Sequence, residues 1–252
     1  MIIIYLGDSM NKLEILNNWI NESNNIVFFG GAGVSTASGI KDFRSKDGLY
    51  NMKYKYPPEE ILSHTFFMNN TEEFYKFYID KLNCLDKEPN ICHNYLTKLE
   101  QIGKLKAIIT QNIDGLHEKA KSKNIYNLHG SIYENECIKC HKKYKPEEIF
   151  NKNNYKCTCG GVIKPNIVLY EEPLDSNIIN NSIEAIATAD LLLVVGTSLT
   201  VYPASSFIRY FQGKHLVIIN KDTTPLDNLA DLIINDDIKE VFKYLNNNLK
   251  EQ

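Results

Sequence analysis

The sequence predicts an α/β fold: a parallel sheet with helices on both faces and a small, partly helical module inserted into it. Short, uniformly apolar runs such as ADLLLVVGTS (189–198) and HLVIIN (215–220) alternate with helical stretches. That is the pattern of strands buried on both faces. The ends of these runs carry small or polar residues: GGAG, TQN, GTS and IN. Open α/β sheets bind ligands at the carboxyl ends of their strands. Finally, residues 132–164 change character, becoming polar and rich in Cys and Lys.

Taken in order, residues 11–22 read as an amphipathic helix, with Leu13, Leu16 and Ile20 on one face. Residues 26–30 are a short buried strand. Residues 45–90 are rich in Tyr and Phe, with helical patches in PPEEIL and TEEFYKFYIDKL. A helix follows over 92–103, then strands over 106–112 and 126–129. After the Cys-rich stretch, strand character returns at 163–170. Residues 177–188 read as a helix, and a short last strand at 231–234 precedes a closing helix, DDIKEVFKYLNNNL. Residues 1–9 read as a dispensable extension before the folded part.

The chain has 252 residues and a net charge of −3, with 43% hydrophobic and 23% charged residues. These values suit a globular protein and exclude a global basic field for nucleic acid or membrane surfaces. No apolar run approaches the length of a membrane span. The N-terminus lacks the basic region and cleavage site of a signal peptide. Without a secretory signal, six cysteines point to a reducing, cytoplasmic setting and to metal rather than disulfides.

The stretch FFGGAGVSTASGIKDFR (28–44) reads as a strand turning into a glycine loop. Gly31 and Gly33 let backbone approach a phosphate, and Ser35, Thr36 and Ser38 add hydroxyls. The usual dinucleotide spacing would place a third glycine at Thr36. The bare loop fits a ligand-free turn equally well; with the other polar strand ends, nucleotide binding is the better reading.

Cys137-Ile-Lys-Cys140 and Cys157-Thr-Cys159 form two knuckles separated by sixteen residues. Four thiolates close a tetrahedral zinc site with no open position, so such a zinc is structural. The alternative is two unrelated thiol pairs. One residue between cysteines, where two are usual, demands a sharper bend near Gly160-Gly161, and His141 is a competing ligand. Cys84 and Cys92 read as core residues. Thr110-Gln111-Asn112-Ile113-Asp114 places amides and a carboxylate after a strand. His129 follows another strand and suits a general base. His64, His93, His117, His141 and His215 read as structural.

GAGVSTASGIKDFRSKDGLY, TQNID, LHG, the two cysteine pairs, KPNIVLYEE and GTSLTVYPA occur in that order at fitting distances. From about Met10 onward the chain resembles the sirtuins, NAD-dependent protein lysine deacylases. The resemblance implies a Rossmann-like NAD-binding domain of residues 1–44, 87–130 and 165–252. Its small companion combines a helical part (45–86) with a zinc ribbon (131–164). Along NAD it implies Gly31, Ala32, Thr36 and Arg44 near the pyrophosphate, and Phe43 over the nicotinamide–ribose bond. Gln111 and Asn112 address the ribose and an ordered water, and Ile113 and Asp114 hold the carboxamide. Thr197, Ser198, Asn220, Lys221 and Ile238 line the adenosine end. His129 is the implied catalytic base, with Asn112 beside it. Residues 39–44 are read as a mobile cofactor loop.

The chemistry implied is attack of an amide oxygen on ribose C1′ with loss of nicotinamide. A carboxylate holding the carboxamide and an aromatic lid suit that step. An acylated protein or peptide adds as a strand between 168–172 and 200–203, with Val168, Tyr170 and Val201 around the acyl-lysine. The family's usual Phe-Gly-Glu reads Tyr170-Glu171-Glu172 here, and an added carboxylate at Glu171 favours basic flanking residues. Leu49 stands where relatives preferring acidic acyl groups have Tyr, with Lys53 but no Arg nearby, so acetyl is expected. The products implied are nicotinamide, O-acetyl-ADP-ribose and free lysine. A mono-ADP-ribosyltransferase or NAD hydrolase using the same site is the alternative. Weaker is a non-catalytic NAD- or nucleic-acid-binding module reading with Lys139, Lys142, Lys143 and Lys145, which Glu134, Glu136, Glu147 and Glu148 flank. No apolar heptad or interface stands out, which favours a monomer.

Overall fold

A computed structural model describes residues 11–42, 48 and 55–249. Residues 1–9, Phe43, Arg44, Leu49 and Lys53, and the expectations placed on them, lie outside the described residues. Helix α1 (Lys12–Glu22) starts at a capping box: the Asn11 side chain accepts from the backbone and Glu14 reaches back to Asn11 N–H. Its C-terminal carbonyls are met by the buried Lys104 ammonium, which donates to Asn21 O at 2.7 Å and Ser23 O at 2.8 Å. Strand β1 (Ile26–Gly30) is buried throughout.

Three short helices follow the glycine loop: α2 (Pro58–Ile61), α3 (His64–Asn69) and α4 (Thr71–Lys81). Next come α5 (Ile91–Gln101), β2 (Leu105–Thr110), α6 (Leu116–Lys119) and β3 (Ile125–Asn127). The Cys-rich stretch forms β4 (Gly130–Cys137), β5 (Lys143–Tyr144) and α7 (Pro146–Phe150), and β6 (Ile163–Ile167) closes it. The chain ends with α8 (Ser176–Thr188), β7 (Leu191–Val195), β8 (His215–Ile219), β9 (Leu232–Ile234) and α9 (Ile238–Asn247).

The main sheet has the order β3-β2-β1-β7-β8-β9, and every pairing in it is parallel. Alternate side chains of each strand enter different cores. Ile26 and Phe28 of β1 join Leu191 and Leu193 under α1, α5 and α9. Val27 and Phe29 join Leu192 and Val194 under α8 and the 3₁₀ segment Ala204–Tyr210. Both faces are covered, so Ile26–Phe29 of β1 and Leu191–Val195 of β7 are apolar at every position.

Residues 163–170 carry a strand as expected, but not one of the main sheet. β6 pairs antiparallel with β4 in a second sheet of order β5-β4-β6 and stops at Ile167. The apolar pattern records burial and does not say which sheet a strand joins. A separate core unites the two inserted stretches: Phe67, Phe74, Tyr75 and Tyr78 from the helices meet Ile132, Ile149, Phe150 and Ile163. Among the described residues no helix is long and apolar enough to cross a membrane.

Candidate active site

The chain builds the main sheet outward from β1, first to β2 and β3, then across to β7, β8 and β9. The reversal falls between β1 and β7, where an open sheet leaves a crevice at its carboxyl edge. A cleft of about 620 Å³ lies there, within the usual range for small-ligand sites.

After β1 the chain turns at Gly31 directly into a 3₁₀ helix, Ala32–Ser38, which Gly39 ends at φ 80°. Gly31 N–H donates to Val195 O at 3.0 Å and Gly33 N–H to Gly196 O at 2.8 Å. A Cβ at Gly31 would stand 2.7 Å from Thr197 Cβ, and one at Gly33 2.8 Å from Gly196 Cα. These glycines are therefore required by the end of β7 itself. Close approach of the two loops demands them whether or not a phosphate is present.

Ala32 and Ser35 both face the cleft, because a 3₁₀ helix brings every third residue to the same side. Thr36 does not line it; its hydroxyl donates to Gly33 O at 2.9 Å. In the sequence Ser35 is one hydroxyl among three, and the three-residue period is the signal that separates it from Thr36. The buried Ser35 hydroxyl donates to Asp114 Oδ2 at 2.6 Å, and Leu116 N–H donates to Oδ1 at 3.0 Å. Asn112 Nδ2 donates to Ser35 Oγ and to Gly31 O, both at 3.1 Å. Burial raises the Asp114 carboxyl above the usual range, and the bonds from Ser35 and Leu116 oppose that shift.

Gln111 Nε2 donates to Thr197 Oγ1 at 3.1 Å, tying the end of β2 to that of β7. The Gln111 carbonyl lies 2.9 Å from His129 Nδ1. A carbonyl only accepts, so Nδ1 carries the proton and Nε2 keeps its lone pair. Burial pushes the His129 pKa down, and the carbonyl bond opposes this. The imidazole is thus neutral at pH 7, the form a general base needs.

The cleft gathers Gly31, Ala32, Gln111, Asn112, Ile113, Asp114 and His129 with Thr197, Ser198 and Asn220. Val168, Tyr170, Glu171 and Val201 line it as well. Besides Thr36, two further expected members do not. Lys221 pairs with Asp237 at 2.9 Å, and Ile238 is buried in the core beside Val241 and Phe242. The cleft's amides, hydroxyls and one buried carboxylate, which accepts, match the carboxamide and ribose hydroxyls of NAD.

Away from the cleft, Cys137, Cys140, Cys157 and Cys159 bring their sulfurs within 4.8 Å of one another. The pairs Cys137–Cys159 and Cys140–Cys157 are 3.5 and 3.6 Å apart. A tetrahedron with Zn–S near 2.3 Å has edges of about 3.8 Å, so the four residues fit zinc. The short second knuckle is accommodated at Gly161, where a Cβ would lie 2.7 Å from Cys137 Sγ. His141 instead meets Glu136 at 2.5 Å.

The Sir2 family model matches residues 31–203. An NAD-dependent protein deacetylase of Clostridium acetobutylicum is 54% identical, covering 93% of this chain and 98% of that protein. One from Clostridium perfringens is 55% identical over 94% and 98%. A Sir2 structure with a p53 peptide and NAD+ aligns at TM-score 0.82 and 38% identity, covering 93% and 96%. Motif order, cleft geometry and these likenesses agree: the chain belongs to the Sir2 family.

Proposed function

We propose that this chain is an NAD-dependent protein lysine deacetylase. It removes acetyl from lysine side chains and yields nicotinamide, O-acetyl-ADP-ribose and free lysine. The observation that carries the reading is the neutral His129, fixed by the Gln111 carbonyl with Nε2 free, in the same cleft as Asn112 and Asp114. NAD bound there supplies an activated ribose carbon. Asp114 holds the carboxamide of the leaving group, and Ser35 and Asn112 hold Asp114 and the surrounding backbone. His129 Nε2 accepts a proton from a ribose hydroxyl.

Relatives at about half identity are NAD-dependent protein deacetylases, and a Sir2 structure bound to acetylated peptide aligns over 94% of this chain. The acyl-lysine enters beside Val168, Tyr170 and Val201. Preference for acetyl over acidic acyl groups rests on the sequence at Leu49. Four thiols suited to zinc favour a reducing compartment, the cytoplasm. Incubation with NAD and an acetyl-lysine peptide, read by mass, tests the assignment. Equal amounts of deacetylated peptide and O-acetyl-ADP-ribose are expected. A peptide gaining ADP-ribose, or ADP-ribose released without deacetylation, identifies a transferase or hydrolase instead.

A further inference from the structure

Residues 169–172 form a tight turn: Glu172 N–H donates to Leu169 O at 3.0 Å, and Glu171 sits at φ 75°. That left-handed backbone favours glycine, the residue the family pattern has at this position. Here a glutamate holds it, and its side chain is fastened. Glu171 Oε2 accepts from Thr65 N–H at 2.8 Å and from the Thr65 hydroxyl at 2.7 Å.

Thr65 lies in the first turn of α3, where backbone N–H groups lack helical partners. The turn at 169–172 satisfies two of them. His64 N–H donates to Tyr170 O at 3.0 Å and Thr65 N–H to Glu171, while Ser63 Oγ takes Phe66 N–H at 3.1 Å. Tyr170 N–H returns to Leu62 O at 2.9 Å. Glu172 braces the other side: Oε1 meets His64 Nδ1 at 2.8 Å, and Oε2 accepts from Lys164 Nζ at 3.0 Å and Leu169 N–H at 2.9 Å. Among the described residues the Glu171 N–H and C=O have no backbone partner, and Glu171 lines the cleft.

We propose that Glu171 is a positioning residue for the substrate peptide: bound to Thr65, it locks the 169–172 turn in its left-handed form and presents the backbone edge on which the peptide docks. This rests on the deacetylase reading. The carboxylate is engaged by Thr65, whose bonds hold its pKa below the usual range, so it stays ionised and latched. In this role it holds the turn through Oε2 instead of reading basic flanking residues.

Steady-state kinetics with NAD and an acetyl-lysine peptide test this in Glu171→Ala, Glu171→Gln, Thr65→Val and the Glu171→Ala/Thr65→Val double variant. Glu171→Ala raises the peptide KM about tenfold, the scale of one charged hydrogen bond, with kcat and the KM for NAD changed less than about twofold. Glu171→Gln keeps an acceptor for Thr65 and recovers most of the loss. The double variant is no worse than Glu171→Ala, because both changes break one contact. An unchanged peptide KM in Glu171→Ala overturns the proposal. So do independent, multiplying losses, or a wild-type preference for basic flanks that Glu171→Ala abolishes. Wild type that makes no O-acetyl-ADP-ribose defeats the deacetylase reading instead; peptide affinity by calorimetry across the same variants then still judges the latch.

Discussion

The Ser35 hydroxyl donates to the Asp114 carboxylate at 2.6 Å, although the two residues lie on loops after different strands, β1 and β2. Because Asn112 Nδ2 donates to the same Ser35 oxygen, the serine proton has one direction left to point. The buried carboxylate is thereby kept as an acceptor facing the cleft.

Ser35→Ala removes one hydrogen bond to a buried charge, a loss of about 1.5–3 kcal/mol, or about 10- to 100-fold in kcat/KM for NAD. Its pH profile shifts too. Burial already raises the Asp114 pKa, so ionisation of this group opposes folding as pH rises. Without Ser35 the pKa rises further, and the acidic limb of kcat/KM moves to higher pH. A limb that stays in place argues that Asp114 ionisation is not required.

His129→Ala is expected to lower kcat by about 10²–10⁴-fold while NAD still binds. Because burial depresses the His129 pKa, the neutral base persists below the ordinary value of 6.5. Wild-type kcat is therefore flat through pH 7 and falls only at lower pH. Calorimetry for NAD with the variant, beside a pH–rate profile of the wild type, checks both statements.

His93 and His117 lie buried against each other, ring centroids 4.7 Å apart, and both His117 nitrogens lack partners among the described residues. Burial lowers the His93 pKa to about 4 and pushes His117 well below its usual value. The unfolded chain binds these protons more tightly, so stability is lost as pH falls through 6.5. At pH 5 the His93 contribution alone is about 2 kcal/mol. Urea midpoints at pH 7 and pH 5 measure the drop; His93→Gln is expected to shrink it.

Removing zinc with a chelator is expected to unfold the ribbon, since thiolate ligation supplies folding energy of about 10–16 kcal/mol in small zinc modules. Turnover is lost while the parallel sheet persists, and restored zinc returns both. Far-UV circular dichroism with parallel activity assays reads the two parts. Full activity in metal-free protein would exclude a structural role for Cys137, Cys140, Cys157 and Cys159.

The sheet was legible because β1, β7 and β8 are covered on both sides, so Ile26–Phe29, Leu191–Val195 and Leu216–Ile219 are unbroken apolar runs. The four cysteines were legible because ligand chemistry leaves a local spacing. Contacts that depend on distant pairing left no such trace. Glu171 appeared as a departure from a pattern; only its meeting with Thr65, 106 residues away, shows why that position tolerates a glutamate. Motif position alone points Lys221 and Ile238 at the adenosine end, whereas the fold pairs Lys221 with Asp237 and buries Ile238 in the core. Ser35 lay between, recoverable once the loop is known to wind as a 3₁₀ helix.

The core shared by α3, α4, β4, α7 and β6 has a consequence for how such a chain is assembled and inherited. Phe74, Tyr75 and Tyr78 share one core with Ile132, Ile149 and Ile163, and each group covers apolar surface of the other. The two excursions from the sheet are companions: deleting or transplanting one by itself exposes the apolar face of the other, and drift in one is answerable to the other.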